Sequence, residues 1–376
     1  MTSQTQFAVP LLDLNPQYKD IEDKLIEAFK SILDSKQFIL GPAVQQLESD
    51  IAKYTQTKHA IGVSSGSDAL IISLMGLDIG PGDEVITTPF TFFATAGSIA
   101  RVGATPVFVD IEPDTFNINP ALIESKITKK TKAIMPVHLF GQLADMTAIM
   151  AIAKKHQLHV IEDAAQAIGA SATNTEGQLR PAGSVGDCGC FSFFPSKNLG
   201  CLGDAGIVVT NNDVLAEKLR FLRNHGATGQ YQHQFIGGNF RIDTLQAAFI
   251  SIKLPLLNTQ HQQRIENAHY YNAELPDTIQ KPVIASQNRS IYNQYTLRLK
   301  NRDHAQAELK KNTIGNAIYY PIPLHLQACF SYLNYKESDF PESERAAKEV
   351  LSIPVFGGLH REQLDKVVQV LSRTLS

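Results

Sequence analysis

Apolar residues recur at every third or fourth position in two stretches near the start of the chain, over 25–33 and 44–54. This spacing predicts two amphipathic helices, and Gly41-Pro42 predicts the break between them. Beyond them, short apolar runs alternate with helical periods. The predicted strands lie at 59–64, 84–88, 105–110, 133–137, 159–163, 188–194 and 207–209, and the predicted helices at 67–77, 93–102 and 146–156. This alternation predicts crossover connections and a mainly parallel sheet covered by helices on both faces.

The pattern changes after Leu254-Pro255. Residues 259–275 are predicted to form a long polar helix, with short strands at 295–299 and 317–320 and a last helix from Arg361. We therefore predict two domains: residues 1–255 hold an N-terminal segment and a large α/β domain, and residues 256–376 form a smaller α+β domain. Parallel sheets bind ligands at the carboxyl ends of their strands, so a site is expected there.

A lysine lies at the centre of an insert rich in Pro, Ser, Asn and Gly, between the aromatic run 191–194 and the apolar run 207–209. The flanking runs predict two strands, and the insert predicts a turn. Apolar neighbours would partly desolvate Lys197, and desolvation lowers the pKa of an amine and frees it to attack a carbonyl. A hairpin lysine that points into water is the alternative that the local sequence leaves open.

Two further candidate site segments lie at or just after the ends of predicted strands. Around Gly66 and Ser67, the run Ser-Ser-Gly-Ser-Asp precedes a helix, whose free amides and dipole attract a phosphate. Asp163 ends another strand with a carboxylate. In both places an ordinary helix cap would use the same residue types, so that alternative stays open.

Charge and composition exclude several functions. The 376 residues are 43% hydrophobic, and 34 basic against 37 acidic residues leave a net charge of −3 without any block of one sign. This balance argues against nucleic-acid binding and a charged membrane surface. The chain start lacks the pattern of a signal peptide, and no apolar run is long enough for a membrane span, so we predict a cytoplasmic protein. The four cysteines are too few for a disulfide framework. Three of them, Cys188, Cys190 and Cys201, cluster near Lys197, and we interpret these as small buried thiols and predict no metal site.

Several motifs of the chain resemble those of one family and occur in the same order as in that family. Phe-Phe-Pro-Ser-Lys-Asn-Leu-Gly at Lys197, followed by Gly-Asp-Ala-Gly, is similar to the cofactor-lysine motif of the DegT/StrS-type nucleotide-sugar aminotransferases. The resemblance runs from about Leu12 to the C-terminus and is densest between Phe38 and Leu254. It implies the aspartate-aminotransferase-like fold type I, pyridoxal 5'-phosphate (PLP) as cofactor and pyridoxamine 5'-phosphate as its intermediate form. Lys197 would then be the Schiff-base lysine and the proton shuttle.

The same resemblance assigns residues to the cofactor phosphate. Gly66 and Ser67 would hold it at the helix N-terminus, and Ser192 would add a hydroxyl. The segment Gly-Gly-Asn-Phe-Arg resembles one that crosses a dimer interface, so Asn239 would reach the phosphate of the neighbouring subunit's cofactor. The resemblance therefore implies an obligate homodimer.

Other residues are assigned to the cofactor ring. The resemblance implies that Phe92, rather than Phe90, stacks on the ring, although core packing is the commoner place for a phenylalanine. Asp163 would keep the ring nitrogen protonated, which the ring needs to act as an electron sink. Gln166, one helical turn later, would reach the phenolic oxygen. Strand alternation turns Glu162 to the opposite face, where we expect a structural role.

Substrate contacts are expected from Arg241, Tyr319, Tyr320 and His325. An interface salt bridge for Arg241 and a structural role for His325 remain as alternatives. The motifs resemble the branch that aminates C3 of UDP-linked 2-acetamido-3-keto sugars, including the 3-keto-glucuronate, for the diamino sugars of surface polysaccharide such as O-antigen lipopolysaccharide. Glutamate would be the amino donor.

Three rival functions remain open. The first is amination of a C4 or C3 ketone on a dTDP- or UDP-linked deoxysugar. The second is a PLP sugar dehydratase. Lys197 argues against it, because relatives of that kind carry a histidine in place of the lysine. The third is a non-catalytic sugar sensor or regulator, for which the sequence offers no DNA-reading helix or basic stripe.

Overall fold

The computed structural model describes residues 7–375. Its strands, in chain order, are β1 (His59–Val63), β2 (Glu84–Thr87), β3 (Thr105–Phe108), β4 (Thr131–Ile134), β5 (His159–Asp163), β6 (Ser171–Thr173), β7 (Leu179–Pro181), β8 (Cys188–Ser192), β9 (Gly206–Thr210), β10 (Ala227–Gly229), β11 (Gln232–His233), β12 (Asn288–Arg289), β13 (Tyr295–Arg298) and β14 (Val350–Ile353).

The helices are α1 (Asn15–Tyr18), α2 (Glu22–Ser35), α3 (Pro42–Tyr54), α4 (Gly66–Gly76), α5 (Ala94–Arg101), α6 (Pro120–Ile123), α7 (Met146–His156), α8 (Asp213–Leu222), α9 (Thr244–Lys253), α10 (Leu257–Glu274), α11 (Arg302–Lys311), α12 (Pro341–Glu349) and α13 (Arg361–Leu375). Short 3₁₀ segments lie at Glu124–Lys126, Leu139–Gly141, Leu254–Leu256, Leu324–Leu326 and Ala328–Leu333.

Seven strands form the central sheet in the order β1-β9-β8-β5-β4-β2-β3. All neighbouring pairs from β8 to β3 are parallel, and only β9 runs antiparallel to both of its neighbours. The predicted mainly parallel sheet is therefore confirmed. Asp163 pairs with Cys190 near the ends of β5 and β8, which brings Asp163 and Ser192 to the same carboxyl edge.

Apolar layers cover both faces of this sheet. Successive residues of β5 enter opposite layers: Val160 packs with Leu47 and Ile51 of α3, whereas Ile161 packs with Leu70 of α4. This alternation explains why strands buried on both faces read as continuous apolar runs.

A second apolar core lies in the C-terminal part of the chain. It includes residues of α10, α11 and α13 and of the β13–β14 pair, together with Val9. Val9 joins this core because its backbone bonds to Thr313 and Gly315. The predicted domain boundary at 255–256 precedes α10, whose Leu257 packs in the large core and whose Tyr271 packs in the small one.

Several local expectations need correction. No strand forms over 317–320, where Ala317 makes a single bridge to Ser352, because the neighbouring prolines cannot continue a ladder. The three cysteines near Lys197 are buried, as predicted, whereas Cys329 is exposed. Within residues 7–375, no helix has the length and apolar character needed to cross a bilayer. The same residues contain no His, Cys, Asp and Glu cluster suited to a metal ion.

Candidate active site

The predicted turn around Lys197 connects the antiparallel strands β8 and β9 at the carboxyl edge of the sheet. Phe193 N donates to Ala205 O at 2.8 Å, and Lys197 N donates to Phe194 O at 2.8 Å. The turn is so tight that a Cβ on Gly200 would lie 2.4 Å from the Pro195 carbonyl oxygen. The backbone around Lys197 is therefore held in one conformation.

The Lys197 amine is the nucleophile candidate. Its Nζ has no hydrogen bond or ion pair with any residue that the structure describes. Burial lowers the pKa of Lys197 from 10.5 to about 8, and the charge of Asp163 acts in the opposite direction. This lowered pKa increases the unprotonated fraction of the amine near neutral pH. A partly neutral, unpaired amine is able to attack an aldehyde.

Asp163 is buried at the end of β5. Its Oδ2 accepts a hydrogen bond from Thr95 Oγ1 at 2.7 Å, and its Oδ1 accepts one from Ala165 N at 3.2 Å. Residues 164–170 form turns, so no helix begins after this strand and the helix-cap alternative for Asp163 is wrong. Burial raises the pKa of Asp163, while the Thr95 hydroxyl acts in the opposite direction. A cation beside this carboxylate would offset the cost of its burial.

Glu162 is also buried but faces the other way. Its carboxylate bonds with His138 Nε2 at 2.8 Å and accepts amide hydrogen bonds from Gly183, Val185 and Gly186 at 2.7–2.8 Å. Burial by itself would raise the pKa of Glu162, but these partners outweigh it and hold the pKa below the ordinary value. The residue fastens the 183–186 loop to the sheet, as expected for a structural role.

The N-terminus of α4 meets the end of β8. Ser65 caps the helix by accepting from Asp68 N at 3.0 Å, and the amides of Gly66 and Ser67 have no partner within residues 7–375. A Cβ on Gly66 would lie 2.6 Å from Ser192 Cβ, so only glycine fits. Two free amides beside the Ser192 hydroxyl suit a phosphate, in addition to the ordinary cap.

Two aromatic candidates of the loop after β2 have different environments. Phe90 is completely buried in an apolar cluster, whereas Phe92 is 58% exposed. The Phe92 ring lies 6.2 Å from the ring of Tyr320, centroid to centroid. Of the two, only Phe92 offers an open face on which a planar ring can stack.

Gln166 connects the large sheet to the C-terminal loop. Its Oε1 accepts from Phe140 N at 2.8 Å, and its Nε2 donates to Tyr320 Oη at 3.0 Å. The amide nitrogen has a second hydrogen, which remains available for a ring oxygen. Burial raises the pKa of Tyr320, which stays a neutral hydroxyl.

Asn239 and Arg241 line a cavity of about 410 Å³. Its other lining residues are Ile39, Ser64, Asp204, Asp243 and Gln246. The Asn239 side chain is exposed, and Arg241 donates to Asn224 Oδ1 at 2.7 Å. Arg241 forms no salt bridge among the described residues, so its charge is available to an anion.

The remaining substrate candidates differ in accessibility. Tyr319 is partly exposed, and its ring lies 5.8 Å from that of Tyr320. His325 is only 2% exposed, bonds to Glu344 Oε1 at 3.0 Å and packs edge-on against Phe340. This burial supports the structural alternative for His325, because a substrate could not reach its ring.

Two contacts at the site were not predicted from the sequence. Thr95 holds Asp163 from 68 positions away, and Tyr320 bonds to Gln166 across 154 positions. Neither contact has a local signal, since each depends on how separate segments pack.

The residues around Lys197 fit PLP. The free α4 amides suit its phosphate, the Asp163 carboxylate suits a protonated ring nitrogen, and Phe92 offers a stacking face. The unpaired Lys197 amine suits its aldehyde.

Comparison with known proteins relates this arrangement to one family. Residues 19–372 match the model of the DegT/DnrJ/EryC1/StrS aminotransferase family. The chain is 50% identical over 368 residues to the pleiotropic regulatory protein of Geobacillus stearothermophilus, covering 97% of this chain and 98% of that protein. It is 44% identical over the whole length of both chains to a UDP-N-acetyl-3-dehydro-α-D-glucosamine 3-aminotransferase of Acidithiobacillus ferrooxidans. A UDP-2-acetamido-2-deoxy-3-oxo-D-glucuronate aminotransferase of Pseudomonas aeruginosa is 42% identical, covering 92% of this chain and 95% of that one.

Solved structures agree with this assignment. DesV of S. venezuelae superposes with a TM-score of 0.94 at 39% identity, over 98% of each chain. NtdA of Bacillus subtilis, solved with bound pyridoxamine phosphate, has a TM-score of 0.90 at 29% identity, over 100% of this chain and 87% of that one. The expected fold type I is confirmed. The chain therefore belongs to the DegT/DnrJ/EryC1/StrS aminotransferase family and is a PLP-dependent aminotransferase.

Proposed function

We propose that this aminotransferase transfers an amino group from glutamate to the 3-keto group of a UDP-linked 2-acetamido-2-deoxyhexose, with the 3-keto-glucuronate as its substrate, for the diamino sugars of surface polysaccharide. The observation that carries the proposal is the Arg241 guanidinium, which lines a cavity without a salt-bridge partner among the described residues. A sugar carboxylate is an anion of suitable shape for it. Two relatives of 42% and 44% identity are named for UDP-linked 3-keto sugars.

We assign the chemical roles to four groups. The cofactor, when bound, supplies an electron-accepting ring. The free amides at the start of α4 bind its phosphate, and Phe92 covers one face and excludes water there. Asp163 keeps the proton on the ring nitrogen, and the Nζ of Lys197 accepts and returns the proton of the reacting carbon.

Turnover of candidate ketones tests the substrate. Wild-type protein is expected to aminate the UDP-linked 3-keto-glucuronate and to lose about 10- to 100-fold in kcat/KM on Arg241→Gln, because a charged hydrogen bond is lost. The matched UDP-linked 3-keto-glucosamine has no carboxylate, so its kcat/KM should hardly change in the variant. If neither UDP-sugar gives a product while a dTDP-linked deoxysugar ketone is turned over, the result would favour the deoxysugar as the substrate. Equal losses on both UDP-sugars would contradict the role of Arg241.

We also propose a homodimer in which Asn239 serves the neighbouring subunit. Its side chain is exposed and has no hydrogen bond within residues 7–375. An apolar stripe of Ile26, Phe29 and Leu33 is exposed on α2, beside the buried Leu25 that packs with Phe249 of α9. Such a stripe is typical of a surface that a second copy covers.

Mixed dimers test whether Asn239 acts in trans. Lys197→Ala and Asn239→Ala proteins are each expected to be nearly inactive. Mixing equal amounts under exchange should restore about one quarter of wild-type activity, since half of the dimers are hybrids with one intact site each. Activity that stays at the level of the separate variants, with hybrids demonstrated by a tag, would place Asn239 in its own subunit's site.

A further inference from the structure

Lys253, the last residue of α9, is a buried lysine without a role in the proposed reaction. It is only 2% exposed, and none of the ion pairs within residues 7–375 includes it. Burial lowers the pKa of Lys253 to about 8, with only Cys201 acting in the opposite direction. Burying an ammonium without an acidic partner costs free energy, so the contacts that the amine does make must offset that cost.

The amine has two hydrogen-bond acceptors. Nζ donates to Gly200 O at 2.5 Å and to Tyr18 Oη at 3.0 Å, and it lies 4.5 Å from the centre of the Tyr18 ring. The first acceptor belongs to the turn that carries Lys197, and the second belongs to α1. Lys253 therefore joins the N-terminal segment to the Lys197 turn.

Gly200 occupies the point where this turn closes. The next residue, Cys201, donates its amide to Phe193 O at 2.8 Å and its thiol to the same oxygen at 2.9 Å. Gly200 also packs against the backbone of Pro195, so the turn closes by contact between the backbone before and after Lys197. Among the described residues, the Lys253 ammonium is the one charged group that bonds to the Gly200 carbonyl.

We propose that Lys253 is a positioning residue for the Lys197 amine. Its ammonium holds the Gly200 carbonyl and so fixes the turn in the conformation that aims Lys197 Nζ at the cofactor aldehyde, while the Tyr18 hydroxyl and ring hold the ammonium in place. This inference rests on the proposed role of Lys197.

The test measures how fast protein freed of cofactor acquires the visible absorbance of cofactor bonded to lysine, after PLP is added. Lys253→Met is expected to slow this step about tenfold or more, because small misplacements of a reacting group are costly. The pH midpoint of the absorbance should shift as well. Lys253→Arg keeps the charge and should recover most of the rate. Tyr18→Phe keeps the lysine but loses one acceptor, and should slow the step at least about twofold.

Lys218→Met is the matched control, since Lys218 pairs with Asp78 and lies 5.8 Å from the Phe235 ring, outside the turn. It should acquire the absorbance at the wild-type rate. A Lys253→Met protein with the wild-type rate and pH midpoint would overturn the inference. If that variant does not fold, an unchanged rate in Tyr18→Phe overturns it. A Lys197→Ala protein that still acquires the absorbance would instead contradict the role of Lys197 itself.

Discussion

Replacement of Lys197 by alanine is expected to lower the turnover of sugar amination by about 10³-fold or more. The variant loses both the amine that bonds to the cofactor aldehyde and the base that moves the proton of the reacting carbon. Lys197 is the lysine whose charge acts on Asp163, and the Asp163 charge in turn raises the Lys197 pKa. Steady-state turnover with glutamate and the UDP-linked ketone measures the loss.

Colour reports the bond to the cofactor, and thermal unfolding, in which the variant should still be folded, separates this loss from unfolding. Wild-type protein should be yellow, with a visible band that borohydride abolishes and glutamate shifts, whereas the alanine variant should lack the borohydride-sensitive band. Lys218→Met serves again as the control and should keep both band and turnover, because Lys218 lies on α8 in a surface ion pair. Undiminished turnover in Lys197→Ala would refute the assignment. A colourless wild-type protein after PLP addition would favour the sensor.

Replacement of Asp163 by asparagine is expected to lower kcat by about 10²- to 10³-fold, a magnitude typical of losing a pre-organised electrostatic group. The fold should survive, because the amide can still accept from Ala165 N and donate to Thr95 Oγ1. The pKa of Asp163 is raised in the folded chain without cofactor, so its ionised form opposes folding as pH rises above the unfolded value. The variant without cofactor should thus be at least as stable as wild type at pH 7, by thermal unfolding.

The adjacent Glu162→Gln variant is the matched comparison and should show the opposite result. The amide nitrogen of glutamine cannot accept, so donors among the Gly183, Val185 and Gly186 amides lose a partner. We expect the free energy of unfolding to fall by about 3 kcal/mol or more. The lowered pKa of Glu162 means that its stabilisation is present above its ordinary pKa and is lost as pH falls through the lowered one.

The two variants together distinguish a chemical from a structural carboxylate. Asp163→Asn should lose activity but keep its stability. Glu162→Gln should lose stability, while the protein that remains folded still converts substrate. A reversal of this pattern would exchange the roles assigned to these neighbours.

The sequence by itself determined the strands of the central sheet and the edge of that sheet at which the candidate site lies. Apolar periodicity predicted strands of the parallel sheet, and strand alternation separated Asp163 from Glu162, because successive side chains of a strand point to opposite faces. The Pro- and Gly-rich insert placed Lys197 in a turn, because these residue types act on the local backbone. Such signals depend on neighbouring residues only and can therefore be recognised from the sequence.

Only the tertiary structure decided which side chains meet. The sequence left a helix cap open as the alternative role of Asp163, and the turn after β5 excludes it. The sequence left both a substrate contact and a structural role open for His325, and its burial against Glu344 supports the structural role. Lys253 has no sequence signal at all, since its bond to Gly200 spans 53 positions. Contacts of this kind depend on the packing of helices and the register of strands, which single-residue patterns do not encode.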